Sequence, residues 1–145
     1  MREILFRGKR VDNGAWVEGA FYAYYNYKRT VVQILTDRTN CIPDAYEVIP
    51  ETIGQYTGLT DKNGKKIFEG DIVKFCKYIY QIIFVCGSFT LFDKQGCMIS
   101  KIGGMSDHFY SLMNLYLECQ WEDDWAYDLE VIGNIHDNPE LLKGI

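Results

Sequence analysis

The chain has 145 residues, a formal net charge of −5 and a pI near 5.0, with 48% hydrophobic and 24% charged residues. That length suits one compact unit, burying about 70% of the unfolded chain's surface on folding, and the acidic balance argues against a protein whose main partner is a phosphate backbone. Aromatic residues reach 15%, with eleven Tyr and eight Phe, which leans the composition towards strands.

Cys41, Cys76, Cys86, Cys97 and Cys119 are odd in number and contain no Cys-x-x-Cys pair. Neither a zinc cluster nor a fully paired disulfide framework is indicated, and a reducing cytoplasm is the expected compartment. Arg2, Arg7, Lys9 and Arg10 lie near the N-terminus without an apolar signal core, and the longest apolar-leaning stretch, Ile79 to Val85, falls far short of a membrane span. The expectation is a soluble protein without a membrane partner.

In chain order, Ile4 to Arg7 reads as a first strand, and Asn13-Gly14 signals a hairpin into Trp16 and Val17. Alternation from Trp16 to Tyr27 sets Phe21, Ala23, Tyr25 and Tyr27 on one face and Ala20, Tyr22 and Tyr24 on the other. Both faces are aromatic, so a two-sided core or a partner chain must cover Phe21, Tyr22, Tyr24, Tyr25 and Tyr27, the candidate interface. Thr30–Thr36 is the next strand, a loop holding Pro43 follows, and Tyr46–Ile49 and Ile53–Thr57 are short interrupted strands around Pro50. A soft boundary falls there, dividing a single unit, 1–145, into an N-terminal β region, 1–50, and a barrel-like region, 51–145.

Asp61 to Val73, DKNGKKIFEGDIV, packs two turns and a strand into thirteen residues. Asn63-Gly64 supplies a tight turn, and Gly70-Asp71 a second bend before the β-branched Ile72 and Val73. Strands over 78–85, 89–92 and 98–100 then form a meander, and 129–135 is the last strand, placed to close a small barrel. Phe109, Leu112, Met113, Tyr116 and Leu117 fall at helical offsets behind a Ser106 cap, with a strand through Leu115 and Leu117 as the competing reading. Asn138-Pro139 opens one short closing helical turn.

No catalytic, metal or cofactor motif stands out. Glu69 and Asp71 would share a face in extended chain, but two carboxylates are too few for a metal and suit turn bonding and solvation better. Asp61 to Gly64 departs from a calcium loop in its Gly position and its lysines. The acidic run Glu122 to Asp124 between Trp121 and Trp125 reads as a solvated loop anchored by tryptophans, and His108 and His136 lack ligand spacing. Gly103-Gly104 is a loop. Lys62, Lys65 and Lys66 around the Asn63-Gly64 turn form a candidate binding turn, with solvated turn lysines as the plainer reading.

Three segments resemble the phage and prophage YopX-like family: Met1–Arg7 (MREILFR), Gln55–Val73 (QYTGLTDKNGKKIFEGDIV) and Val131–Leu142 (VIGNIHDNPELL). The resemblance implies a mainly β fold with a small SH3-like barrel in the second half and one or two short helices near the C-terminus. It also implies homo-oligomers and a mobile-element origin in a bacterial cell. It implies no activity, so Gly58, Gly64, Gly70, Asp71, Gly133 and Asn134 carry over as structural signature positions alone. Gly8-Lys9 departs from the Ala-Trp often found in the family after the first Phe-Arg, and Ser106–Trp125 looks longer than the family's usual connection, which leaves the partner surface open. Three functions follow: a non-enzymatic homo-oligomeric accessory protein, a barrel that binds nucleic acid or a phage or host protein through the lysine turn, or a hydrolase built on Glu69, Asp71 and the acidic loop.

Overall fold

The computed structural model describes residues 3–37, 42–85, 87–93, 109–113, 115–116 and 127–143. The chain divides into two compact units, Met1–Gly58 and Leu59–Ile145.

In the first unit, β1 (Phe6–Lys9), β2 (Trp16–Asn26), β3 (Arg29–Thr36), β4 (Asp44–Glu47) and β5 (Gly54–Thr60, which runs on past Gly58) form the ladder β4-β3-β2-β1-β5. The Asn13-Gly14 turn closes β1 onto β2 as expected: Gly14 has φ +69 and donates to the Arg10 carbonyl, and the Asn13 side chain accepts from the Ala15 amide. β2 then changes partner. Residues 16–19 pair with β1, Phe6 opposite Gly19, whereas residues 20–26 pair with β3, Ala20 opposite Leu35 and Asn26 opposite Arg29. Gly19 stands at this exchange, and a Cβ there would lie 2.0 Å from the Leu35 carbonyl oxygen, so only glycine admits the approach. A bridge between Arg10 and Val48, with Ile49 N–H donating to the Lys9 carbonyl, brings the chain after β4 back to β1. The core here is small: Val32, Ile34 and Val48, with Phe6, Val17 and Ile53 packed on them.

β6 (Lys66–Phe68) follows β5 in the ladder across the Asn63-Gly64 turn. The rest of the second unit is a five-stranded antiparallel sheet of β7 (Asp71–Phe75), β8 (Tyr78–Val85), β9 (Ser88–Phe92), β10 (Phe109–Ser111) and β11 (Glu130–Asn134), in the order β10-β9-β8-β7-β11. Its core gathers Ile67, Val73, Phe75, Tyr80, Ile82, Leu91, Leu112, Leu115, Leu129 and Val131.

The mainly β class holds, and two finer expectations are corrected. The sheet ends in β10 and β11, which do not pair with each other, so the described strands form no closed SH3-like barrel. The helix expected from 109 to 117 starts instead as strand, because Phe109–Ser111 pair with Phe92–Thr90 of β9, and among the described residues of that stretch helical backbone appears at Leu112, Met113, Leu115 and Tyr116. The closing segment forms the short turn expected behind Asn138-Pro139, as a 3-10 turn over Pro139–Leu142. The strand expected at 98–100, the Gly103-Gly104 loop, His108 and the acidic cluster 121–125 lie outside the described residues.

Candidate interaction site

The end of the β2–β3 hairpin carries the five aromatics singled out by alternation. Cross-strand pairing puts Phe21, Ala23 and Tyr25 on the face shared with Ile34, Val32 and Thr30, and Ala20, Tyr22 and Tyr24 on the face shared with Leu35, Gln33 and Val31. Val31, Val32 and Ile34 opposite them on β3 are buried, but the β2 aromatics of both faces are open to solvent: Phe21 is 43% exposed, Tyr22 51%, Tyr24 38% and Tyr25 74%. Tyr27 is in the two-residue turn rather than the strand, at φ +20, and is 96% exposed. Such turns favour Gly, Asn or Asp, and here Tyr27-Lys28 takes their place, which puts an aromatic ring at the hairpin tip.

The rings are partly ordered among themselves. Phe6 and Phe21 lie 5.4 Å apart between centroids, and Tyr22 and Tyr24 5.8 Å, both within the range of favourable aromatic pairs. From Ala20 to Asn26 the strand bears no charged side chain. Charge enters at Arg29, whose guanidinium pairs with Glu47 across the surface at 2.5 Å and holds that carboxyl below its usual range. Such a surface is suited to stacking and to donating phenolic hydrogen bonds; it holds no nucleophile–base pair.

The lysine turn is differently employed. Lys62 pairs with Asp128 at 3.0 Å and Glu130 at 3.5 Å, and the hydrogen bond it donates to Asp128 raises its pKa. Lys65 is exposed and Lys66 half-buried. The turn itself hangs on Asp61, which is buried: its Oδ1 accepts from the Asn63 and Lys65 amides at 2.9 Å each, and its Oδ2 accepts from the Val131 amide at 3.0 Å. Sequence reading weighed Asp61 as a failed calcium ligand and missed this role, because the decisive contact joins residues seventy positions apart.

The signature positions also serve the backbone. Asp71 is buried and its Oδ2 accepts from the Phe68 amide at 2.8 Å, while Gly70, at φ +90, donates to the Ile82 carbonyl and accepts from the Ile135 amide. Gly58 and Gly64 also have positive φ. A Cβ on Gly133 would meet the Asn138 side-chain oxygen at 2.6 Å, and Asn134 accepts from the His136 and Asp137 amides through its side chain. Glu69 is half-buried beside this turn. Among the described residues, no group of three His, Cys, Asp or Glu side chains is placed to hold a metal ion, and no helix is long and apolar enough to cross a membrane.

Comparison with known proteins gives three findings. The family model described as YopX protein matches residues 5–143. No curated protein matches significantly. Among solved structures, protein EF1440 from Enterococcus faecalis is similar, at 22% identity over 98% of this chain and 99% of that one, with a TM-score of 0.48.

Proposed function

The chain belongs to the YopX protein family, and from that premise we propose that it is a non-enzymatic accessory protein of phage or prophage origin that works in the bacterial cytoplasm by self-association through the β2–β3 hairpin. The observation that carries this reading is the exposure of Phe21, Tyr22, Tyr24, Tyr25 and Tyr27 on both faces and at the tip of one hairpin. Scattered surface aromatics need no explanation, but five clustered on a ribbon without a charge between Ala20 and Asn26 have the composition of an interface core. Tyrosines supply large contact area at low entropic cost and keep a polar tip in water while unbound.

The charge pattern supports a protein partner over nucleic acid. The chain is acidic overall, and the ion pairs of Lys62 with Asp128 and Glu130 offset one of the three lysines in the candidate turn. Glu69 and Asp71 supply little for hydrolysis, since Asp71 is buried in backbone bonding.

Size-exclusion light scattering with absorbance at two wavelengths tests the proposal. The expected result is a defined multiple of 16.9 kDa free of nucleic acid at micromolar concentration. A monomer, or a species that carries nucleic acid, overturns it.

A further inference from the structure

The hairpin has an unused edge as well as exposed aromatics on both faces of β2. Residues 20–26 of β2 pair with β3 on one side, and pairing with β1 on the other stops at Gly19; among the described residues no strand continues along that side. Residues 3–5, which lead into β1, are not in a strand, and the Leu5 carbonyl is taken by the Tyr56 amide. An edge of this length usually carries a lysine, a proline or a bulge that blocks pairing with another chain. The segment AFYAYYN has none of these.

Resting on the self-association reading above, we propose that the free edge of β2 pairs antiparallel with the same edge of a second copy, about a two-fold axis at Ala23. The occupant follows from the register. Pairing about Ala23 sets Phe21 opposite Tyr25 of the second copy and Tyr22 opposite Tyr24 of the second copy, each twice, so aromatic cross-strand pairs form on both faces of the joined sheet. Moving the axis to Tyr22 sets Phe21 opposite Ala23, Tyr24 opposite Ala20 and Tyr25 opposite Gly19, and moving it to Tyr24 sets Tyr25 opposite Ala23 and Tyr22 opposite Asn26, so a shift either way loses aromatic pairs. A partner resting on one face would leave the other face's tyrosines in water, whereas a strand in the same plane covers both.

Charge agrees with the antiparallel sense. The tip carries Lys28 and Arg29 and the base of the segment Glu18. Antiparallel pairing directs each cationic tip towards the other copy's Glu18 end, and parallel pairing would bring the two tips together. The interface is isologous, as a two-fold requires, and strand addition supplies main-chain hydrogen bonds that side-chain packing alone does not.

Hydrogen–deuterium exchange of the full chain, resolved to peptides and compared between low and high protein concentration, tests the mode of association apart from its existence. The expected result is slowing of at least tenfold for amides in 20–26, appearing together with the oligomer. An oligomer whose 20–26 exchange does not change with assembly overturns edge pairing while self-association stands. Protection of 20–26 that is independent of concentration assigns the edge to a segment of the same chain and also overturns it. A chain that stays monomeric removes both readings. As a second measurement, a photoreactive phenylalanine replacing Tyr22 in mixed light and heavy isotope chains should cross-link into 20–26 of the other copy. Inter-chain links confined to other segments contradict the register.

Discussion

The two units use their residues in opposite ways. The second unit turns polar groups inward: Asp61 and Asp71 are both buried and bonded to backbone amides, beside a broad apolar cluster that runs from Ile67 to Val131. The first unit turns apolar groups outward, since its core of Val32, Ile34 and Val48 is small while five aromatics of one hairpin face solvent. A carboxylate spent on amides is unavailable for chemistry, and a tyrosine left in water has no role in the core. The Asp61–Val73 segment is therefore a fold-holding device, and the surface proposed for recognition lies elsewhere in the chain, on a strand with no motif.

The largest effect that separates the units should come from Asp61→Ala. It orphans the Asn63, Lys65 and Val131 amides together, and a loss of about 3–5 kcal/mol is expected in urea unfolding. An effect below about 1 kcal/mol would show that the turn does not depend on that carboxylate. Next is Gly19→Ala, whose Cβ would meet the Leu35 carbonyl at 2.0 Å. The ladder must shift there, costing about 2–3 kcal/mol, with Trp16 fluorescence as the probe of the first unit. Retention of the native unfolding midpoint would mean that β2 has room at its change of partner.

The double variant Tyr22→Ser, Tyr25→Ser should behave differently from both. It should weaken assembly by at least tenfold, about 1.4 kcal/mol, while the unfolding midpoint measured below the dissociation range stays within about 0.5 kcal/mol of native.

Two smaller effects sharpen the account of the second unit. Its β7–β8 hairpin turns on Cys76 at φ +52 and Lys77 at φ +96, in a region L-residues seldom occupy. Lys77→Gly should stabilise the chain by about 0.5–1 kcal/mol in thermal unfolding, and destabilisation would contradict the strained turn. Burial pushes the Tyr80 phenol up to about 12 from an ordinary value of 10.0. The neutral form is thus favoured in the folded state, so stability from this group is complete below pH 10 and falls as the pH climbs towards 12. Tyr80→Phe should flatten that alkaline decline, and an unchanged decline would place its origin elsewhere.

The sequence carried the local geometry well. Asn13-Gly14, Asn63-Gly64 and Gly70-Asp71 all mark real turns, because positive φ and side-chain-to-backbone bonding are written in the residues themselves. The two-sided aromatic pattern of β2 was also legible, since period-2 alternation needs only the strand. Turns at Tyr27-Lys28 and Cys76-Lys77 were not legible: both lack turn residues, and the flanking strands impose them. Phe109–Ser111 shows the same override, as pairing with β9 outweighs a helical spacing of apolar residues. The open end of the second sheet and the Asp61–Val131 contact depend on long-range placement that no local pattern records.

The separation of fold-holding from recognition is tested most directly by sedimentation equilibrium of the native chain beside the Tyr22→Ser, Tyr25→Ser variant. The account predicts a native oligomer at micromolar concentration and a variant of 16.9 kDa that unfolds at the native midpoint. A variant that keeps the native mass, or one that loses assembly only by unfolding, would contradict it.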